Sequence, residues 1–335
     1  MKPGIAHIVY ASDDGFTEML GVSLVSLYEN SKDMDDIVVY VLDGGIKDEH
    51  KQRIDYLPSN YGRSKIRWLP AQSISEGLSI KVKVDRGSLS QYARVFVSSA
   101  LPEDLDRVLY LDCDIVFEKS VRELWNLNLQ GKTIGALMDA FSAQYRANIG
   151  LRRDDIMFNS GVMLIDLVQW KEKRVERRLL KFIESKNGII QQGDQGALNA
   201  VLSRDTFCFE PRFNSVTIFY DFSYEELLIY RKPTKGFYSE KEVQVAVNEP
   251  VIIHSTTSFL SKRPWFAGCQ HRYVGEWLKY KRLSPWAETE LWQDTTGKVK
   301  LLIVEMLKKM PRRLMIRICG LAQAYLRPWM NKICR

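Results

Sequence analysis

Short apolar segments alternate with helical patterns through most of the chain. The apolar segments are rich in β-branched and aromatic residues and end in turn residues, as strands do. They are residues 5–13, residues 37–45, "KIRWLP", "RVLYLDCD" and "TIGALMD". Helical patterns such as "TEMLGVSLVSLYENS" and "KDEHKQRIDYL" lie between them. This alternation predicts an α/β fold with a mostly parallel sheet that helices cover on both faces.

Aspartates follow several of the predicted strands. They stand in "YASDD", "VLDGG", "YLDCD" and "LMDAF". The carboxyl ends of parallel strands share one edge of a sheet, and open α/β sheets bind their ligands at that edge. We therefore expect these carboxylates to meet at one rim and to mark the functional site.

Two of these aspartates, Asp112 and Asp114, are separated by a single residue. Side chains alternate between the two faces of a strand, so both carboxylates project to the same side. Like charges held this close repel unless a cation lies between them, and carboxylates suit Mg²⁺ and Mn²⁺, which can clamp a leaving diphosphate. A solvated pair at a strand end is the alternative. A glycosidase pair is disfavoured, because its carboxylates flank the scissile bond from opposite sides.

The composition is that of a globular protein with a large core, since 45% of the 335 residues are hydrophobic. The formal net charge of +7 arises at the C-terminus, because ten lysines and arginines but only one acidic residue, Glu305, lie from Lys298 onward. The first 297 residues hold 38 basic and 40 acidic side chains. The basic charge thus belongs to a tail, and a near-neutral body without a recognisable module predicts no nucleic-acid partner.

The N-terminus and the cysteines bear on location. The first residues lack the apolar run and the small-residue cleavage site of a signal peptide. No segment approaches the roughly 20 apolar residues that span a bilayer. The five cysteines include no C-x-x-C pair, which predicts reduced thiols rather than disulfides or a zinc site. Together these features predict a cytoplasmic location.

The basic tail carries apolar stripes at helical spacing. One stripe consists of Leu314, Ile318, Leu321 and Tyr325. A second stripe, before Pro311, consists of Leu302, Ile303, Met306, Leu307 and Met310. Basic amphipathic helices lie in membrane interfaces and prefer anionic lipid, so we expect an α/β domain over residues 1–270 and an aromatic, then basic amphipathic helical tail over 271–335. The alternative is that the stripes dock on the body of the protein or on a partner.

Seven motifs resemble a known enzyme family in their order along the chain. They are "YASDDG", "SQYAR", "RVLYLDCDIV", "MFNSGVMLIDL", "GDQGALN", "PRFN" and "VIIHS…KRPW". They resemble the retaining glycosyltransferases of family 8, which include bacterial lipooligosaccharide galactosyltransferases and glucosyltransferases. The resemblance implies the GT-A fold and transfer of galactose or glucose from a UDP-sugar, with retention, to a glycan, glycolipid or glycoprotein hydroxyl. With the tail, it implies a peripheral position on the inner face of the plasma membrane.

The resemblance assigns a metal site to Asp112, Asp114 and His254. A single histidine after an apolar strand is by itself a common core or rim residue, but His254 ends the motif "VIIH" of the ordered set. An imidazole ligand favours Mn²⁺ over Mg²⁺. Mn²⁺ is therefore the expected cofactor, with Mg²⁺ as the alternative.

The resemblance also implies contacts to the nucleotide. Ala11 and Asp13 would meet the uracil and the ribose, although Asp13 could instead cap the helix that follows. Arg94 would brace the donor and the neighbouring carboxylates. Lys262 would contact the diphosphate, and Arg263 is the alternative because this chain has "KRPW" where the family has "KPW".

Donor-sugar contacts are implied at Asp139, Asn159, Ser160, Asp194 and Gln195, since carboxylates and amides suit sugar hydroxyls in a dry cleft. Asn159 could equally belong to an ordinary turn, and Asp194 could cap a helix. Gln195 and Asp194 are the implied catalytic residues. Retention requires either a nucleophile beneath the anomeric carbon or a front-side displacement. Because an amide is a poor nucleophile that can stabilise positive charge, we favour the front-side route.

Two positions depart from the family pattern. Gly15 stands where relatives often have asparagine, and Gly196 stands where they often have a second acid after the glutamine. These departures leave a catalytically impaired UDP-sugar-binding protein as the alternative function. A dehydrogenase is disfavoured, because no G-x-G-x-x-G turn follows the first predicted strand.

Overall fold

The computed structural model describes residues 4–70, 89–294, 297, 302, 304–307 and 309–333. Six residues of the tail analysis lie outside the described residues, namely Lys298, Lys300, Ile303, Lys308, Cys334 and Arg335. Within the described ranges the strands are β1 Ile5–Ser12, β2 Asp36–Asp43, β3 Arg67–Pro70, β4 Arg107–Leu111, β5 Ile115–Phe117, β6 Ile134–Met138, β7 Phe158–Asp166, β8 Thr206–Cys208, β9 Ser215–Val216 and β10 Ile252–His254.

The α-helices of the same ranges vary from one turn to four turns. They are Thr17–Asn30, Asp48–Asp55, Leu57–Asn60, Val97–Ala100, Arg122–Trp125, Ala143–Asn148, Leu167–Glu172, Val175–Ser185, Gly193–Leu202, Ile218–Asp221, Tyr224–Arg231, Glu240–Asn248, Val274–Leu283, Arg312–Leu321 and Arg327–Ile333. Four 3₁₀ segments, Asp14–Phe16, Leu89–Phe96, Ser203–Asp205 and Pro211–Asn214, and a π-helical segment, Ala322–Leu326, complete the pattern.

The main sheet has seven strands in the order β3-β2-β1-β4-β7-β6-β8. The four strands β3, β2, β1 and β4 are parallel, and β6 is parallel to β8. Strand β7 is antiparallel to both of its neighbours, β4 and β6. This arrangement confirms the predicted mixed, mostly parallel sheet.

A second sheet of three strands, β5-β10-β9, was not predicted. Its strands have two or three residues each, which is too short to leave a periodic pattern in the sequence. Strand β5 begins only a few residues after β4 ends, so this small sheet lies next to the edge where the aspartates were expected.

Both faces of the main sheet are buried. Along β1, Ile8 and Tyr10 pack into the hydrophobic cluster on one face, and Val9 packs into the cluster on the other face. All three side chains are fully buried. Burial on both faces explains why the central strands are continuous apolar runs rather than alternating ones.

The charged segment "KEKRVERRLLKFIESK", residues 171–186, predicts one long helix, and this prediction is wrong in its first part. Two helices, Leu167–Glu172 and Val175–Ser185, occupy this region. Arg174 between them has φ 50°, a left-handed conformation that an α-helix of L-residues cannot continue. Neither glycine nor proline marks this break in the sequence.

Residues 271–294 pack against the rest of the chain. Helix Val274–Leu283 lies on helix Thr17–Asn30, and Lys281 Nζ lies 2.6 Å from Glu18 Oε1 in a buried ion pair. Trp286 packs on Gly21, where any Cβ atom would collide with the indole ring. The aromatic part of the C-terminal region therefore shares the hydrophobic cluster of the α/β body.

The tail helix Arg312–Leu321 is docked by one face only. Met315 and Ile316 are buried against helix Tyr224–Arg231. The predicted stripe faces solvent instead, with exposed fractions of 47% for Leu314, 43% for Ile318, 54% for Leu321 and 45% for Tyr325. The stripe is thus not buried against the body. Among the described helices, none is long and apolar enough to cross a membrane.

Candidate active site at the carboxyl edge of the sheet

The rim predicted from the aspartates is assembled where β1, β4 and β7 meet. The Cys113 thiol donates to the carbonyl oxygen of Ala11, at 3.4 Å, and joins the segment after β4 to the end of β1. The Asp112 backbone N–H donates to the carbonyl oxygen of Gly161, at 2.7 Å. Because β7 is antiparallel to β4, its first residues lie at the edge where β4 ends. Antiparallel pairing therefore brings Asn159, Ser160 and Gly161 to the same rim.

Strand pairing in the small sheet places His254 next to the two aspartates. Asp114 directly precedes β5, and β10 pairs antiparallel with β5 so that His254 is opposite Ile115. His254 Nε2 consequently lies 3.1 Å from Asp114 Oδ1 and 4.0 Å from Asp112 Oδ2. Asp112, Asp114 and His254 each offer a ligand atom, and these atoms lie within 4.8 Å of one another. Two carboxylates and an imidazole at this separation fit a divalent cation.

A hydrogen-bonded chain of asparagines orients the His254 ring. His254 Nδ1 lies 2.9 Å from Asn214 Oδ1, and an amide oxygen can only accept, so Nδ1 carries the proton. Asn214 Nδ2 in turn donates to Asn159 Oδ1 at 3.0 Å. With Nδ1 protonated, Nε2 keeps its lone pair toward the carboxylates, which is the tautomer that a metal ligand needs.

Gly161 lies directly against two residues of this cluster. A Cβ atom at this position would lie 2.8 Å from Asp112 Oδ2 and would also collide with the imidazole ring of His254. A glycine is therefore required between these two groups, which supports the fit of the residues to a cation.

Arg94 is buried and holds three groups of the rim. Its Nη2 donates to Asp112 Oδ1 at 2.8 Å, its Nε lies 2.9 Å from Asp194 Oδ2, and its Nη1 donates to the carbonyl oxygen of Ser160 at 2.8 Å. The guanidinium stacks on the Tyr110 ring, with 4.6 Å to the centroid. Burial opposes the charge, but Asp112 and Asp194 outweigh it and raise the pKa of Arg94. The guanidinium therefore stays charged between two carboxylates.

Asp194 and Gln195 lie in the first turn of helix Gly193–Leu202. Burial raises the pKa of Asp194 to about 6, although Arg94 acts in the opposite direction. Gln195 Oε1 accepts from the backbone N–H of Ser160 at 3.2 Å and from its hydroxyl at 3.3 Å. The helix thus presents an acid and an amide to the rim, next to Arg94 and Ser160.

The two departures from the family pattern have different structural settings. A Cβ atom on Gly196 would collide with the carbonyl oxygen of Gln191 and would lie 2.8 Å from Ile190 Cγ2, so the present backbone has no room for an acidic side chain there. A Cβ atom on Gly15 would meet Asp13 Oδ1 at 3.4 Å, which is ordinary contact. Close packing of the loop before helix Gly193–Leu202 thus explains why position 196 is a glycine. At position 15, packing would also allow a larger residue.

Asn148 links this loop to the tail. Its Nδ2 donates to Gln191 Oε1 at 2.6 Å and to the carbonyl oxygen of Pro328 at 2.7 Å. Gln191 is buried. One amide group therefore connects the C-terminal helix region with the segment that packs on Gly196.

The neighbouring basic residues Lys262 and Arg263, which follow β10, contact different carboxylates. Arg263 Nη1 lies 3.6 Å from Asp114 Oδ2, and its Nη2 donates to Thr257 Oγ1 at 2.8 Å. Lys262 Nζ instead lies 3.1 Å from Asp294 Oδ2. The structure thus brings Arg263, the alternative of the pair, to the carboxylate cluster.

The remaining predicted residues occupy the ends of other strands. Ala11 is the penultimate residue of β1, and Asp13 precedes the 3₁₀ turn Asp14–Phe16 without a side-chain capping hydrogen bond. Asp139 directly follows β6, is buried, and lies 3.3 Å from Arg231 Nη2.

Asn214 and Gly161 are functional candidates that the sequence reasoning missed. Asn214 lies in the motif "PRFN" and Gly161 in the motif "MFNSGVMLIDL". Neither motif by itself indicated a role for these two residues. The order of the motifs was the only signal that could have indicated them.

Comparisons with known proteins identify the family of this chain. The family model described as Glycosyl transferase family 8 matches residues 7–267. General stress protein A of Bacillus subtilis is 25% identical over 291 residues, which cover 85% of this chain and 96% of that protein. The lipopolysaccharide 1,2-glucosyltransferase of Escherichia coli K12 is 22% identical over 307 residues, which cover 90% of this chain and 83% of that protein.

Solved structures share the fold. The galactosyltransferase LgtC in complex with donor and acceptor sugar analogues aligns with a TM-score of 0.69 and 23% identity, over 83% of this chain and 96% of that chain. An active-site mutant of LgtC aligns with a TM-score of 0.70 and 22% identity over the same shares. The fold is therefore that of the GT-A nucleotide-diphospho-sugar transferases, as predicted. The chain belongs to glycosyl transferase family 8.

Proposed function

We propose that this protein is a retaining hexosyltransferase that moves galactose or glucose from a UDP-sugar to a hydroxyl of a glycan, glycolipid or glycoprotein, with Mn²⁺ as cofactor. The observation that carries the proposal is the convergence of Asp112, Asp114 and His254, with the Nε2 lone pair of His254 directed at the two carboxylates. Family membership and the glycosyltransferase names of relatives support the reaction class.

These three residues would hold the cation, and imidazole in the donor set favours Mn²⁺ over Mg²⁺. When bound, the ion neutralises charge on a leaving diphosphate. Arg263 adds a second positive charge next to Asp114, and we therefore favour Arg263 over Lys262 as the side chain that contacts the diphosphate. Ala11 and Asp13, at the end of β1, would contact the uracil and the ribose.

The side chains around Arg94 fit the front-side route. In that route the bond between the anomeric carbon and the β-phosphate oxygen breaks, the acceptor oxygen bonds to the same face, and the acceptor proton passes to the departing phosphate oxygen. Gln195 would stabilise the positive charge on the sugar through Oε1, which Ser160 holds in place. Asp139, Asn159 and Asp194 would contact sugar hydroxyls.

Release of UDP from a panel of UDP-sugars tests the reaction. We expect Mn²⁺-dependent release with UDP-galactose or UDP-glucose, increased by a sugar acceptor and abolished by EDTA. Binding of UDP-sugar without release in any combination would support the alternative, a catalytically impaired binding protein. For the mechanism, Gln195→Ala should slow turnover without a covalent intermediate, and a glycosylated acidic residue detected by mass spectrometry would overturn the front-side route.

We also propose that residues 1–270 perform transfer while the tail within 271–335 contacts an anionic membrane, on the inner face of the plasma membrane. The solvent-exposed stripe that includes Ile318 and Leu321, together with the basic residues Arg313 and Arg317, supports this. Sedimentation with phosphatidylglycerol vesicles should pellet the wild type and leave Ile318→Asp/Leu321→Asp in the supernatant. Equal pelleting of both proteins would dismiss the membrane proposal.

A further inference from the structure

An apolar groove lies between the tail and helix Ala143–Asn148. It encloses about 790 Å³ and is lined by residues that include Ala147, Ile318, Leu321, Tyr325 and Trp329. The side chains of Leu321 and Trp329 are 54% and 59% exposed. A volume of this size falls within the range of small-molecule sites, which is roughly 300–1,000 Å³. The groove is thus large enough to hold part of a ligand along its apolar walls.

A polar pocket adjoins the groove. It encloses about 810 Å³, and its lining includes the cations Arg153, Lys232 and Lys235 but only one acid, Asp154. The groove and the pocket share three lining residues: Gln144, Ala147 and Tyr325. The two cavities are therefore contiguous, one apolar and the other positively charged.

Lys232 stands at the junction of the two cavities. Its Nζ lies 5.0 Å from the centroid of the Tyr325 ring, and Tyr325 lines both cavities. A cation–π contact of this kind holds the ammonium group in place without neutralising its charge. The ammonium group of Lys232 is therefore held against a side chain that lines both cavities.

We propose that these cavities bind one anionic phospholipid, with an acyl chain in the groove and the phosphate in the pocket near Lys232. The assignment deepens the membrane proposal on which it rests, because it names a single lipid site in place of a diffuse surface. Charge complementarity carries it, since the three cations suit a phosphate and the groove suits hydrocarbon.

The polar pocket also lies close to the proposed donor-sugar site. Ser142 lines the pocket three residues after Asp139, and Arg231, which pairs with Asp139, directly precedes Lys232. The two segments that hold the Asp139–Arg231 pair thus also build the pocket. A lipid bound here would hold the membrane surface close to the edge of the proposed donor-sugar site.

Calorimetric titration of the full-length protein with dihexanoyl phosphatidylglycerol, below its micellar concentration, tests the site. We expect saturable binding of one lipid per chain, at least about tenfold weaker for Lys232→Glu because a positive charge near a phosphate is replaced by a negative one. Ala147→Trp should weaken binding by filling the groove. Lys235→Glu gives a second test of the pocket if Lys232→Glu does not fold. The matched control is Lys241→Glu, an exposed lysine on helix Glu240–Asn248, which should bind like the wild type.

The assignment would be overturned by no saturable binding by the wild type, by equal affinity of dihexanoyl phosphatidylcholine, or by equal affinity of Lys232→Glu, Lys235→Glu and Lys241→Glu. Inorganic phosphate that binds as tightly as the lipid would also overturn it, because the acyl chains would then contribute nothing. Mn²⁺-dependent UDP release is measured separately, without lipid. The transferase proposal and the lipid site can therefore fail independently.

Discussion

At the carboxyl edge of the sheet, charged side chains are buried and hold one another, whereas on the C-terminal helices apolar side chains lie in solvent. Arg94 contacts Asp112, Asp194 and Ser160 within 3.0 Å. On the tail, Leu321 and Trp329 are more than half exposed. Each region thus contains the residue type that its environment normally disfavours.

The two regions differ in which groups compensate for the unfavourable environment of these side chains. At the rim, neighbouring side chains offset much of the cost of burying charge and hold one another in place. On the tail, exposed apolar surface of this extent is typical of a binding face whose partner supplies the contact. Substitutions at the rim should therefore change chemistry in solution, and substitutions on the exposed tail face should change only association.

The largest effect is expected at the cation site. Asp114→Asn removes a carboxylate charge from the three-residue cluster and should lower Mn²⁺-dependent UDP release roughly 10³-fold, since a catalytic metal contributes several kcal/mol. Calorimetry should show the same loss of Mn²⁺ affinity. Asp48→Asn, at an exposed position in a helical first turn, is the control and should be neutral. Undiminished Mn²⁺ binding by Asp114→Asn would show that the rim is not a metal site.

Gly161→Ala should be the next most severe change. Its Cβ atom would enter the space between Asp112 and His254, and we expect a loss of Mn²⁺ affinity of about 100-fold, as for other disturbances of ligand geometry. Gly275→Ala is the matched control, because no atom outside its own helix lies within 4 Å of a Cβ atom there. Equal Mn²⁺ affinity of the two variants would contradict a preorganised site.

Two substitutions on the tail compare its docked and exposed faces. Met315 is 3% exposed and Leu321 is 54% exposed. Met315→Ala should lower the free energy of unfolding by about 2 kcal/mol, because it leaves a cavity against helix Tyr224–Arg231. Leu321→Ala should change it by less than about 0.5 kcal/mol. Denaturant titration measures both, and equal losses would show that the exposed stripe is part of the folded core.

The smallest effect is expected at Asn214. Asn214→Ala removes the acceptor that fixes the proton on His254 Nδ1, and should lower Mn²⁺ affinity about tenfold. The ¹⁵N chemical shifts of the His254 ring should report a mixture of tautomers in this variant. Asn214→Asp keeps an acceptor for Nδ1 and should restore the single tautomer. An unchanged tautomer in Asn214→Ala would assign the orientation of His254 to packing alone.

The fold was largely predictable because the central strands carry strong local signals. Strands such as β1 and β4 are buried apolar runs that an aspartate follows directly, and their alternation with helices predicted a mostly parallel sheet. The small sheet was not predictable, since β9 has two residues and its pairing with β10 depends on contacts between distant segments. The antiparallel direction of β7 likewise leaves no trace in a continuous apolar run.

The candidate site was predictable from ordered motifs but not from spacing. His254 is far from Asp112 in sequence, and only pairing of β10 with β5 brings the two together. The roles of Asn214 and Gly161 depend on side-chain geometry that no sequence pattern displays. The apolar stripe that includes Leu321 was predicted from the sequence. The docking of Met315 was not, because two faces of this helix carry apolar residues and the sequence does not show which face is buried.

The hydrogen bonds of Asn148 matter to anyone who shortens this chain for easier purification. A protein that ends before Pro311 would lose the Pro328 carbonyl that accepts from Asn148, and the buried surface beneath Met315 would meet water. Gln191, on the far side of Asn148, packs beside the first turn of the helix that carries Gln195. A trimmed enzyme would therefore report kinetics of an altered active site. Replacing exposed apolar residues of the tail with polar ones is the safer way to obtain tractable material.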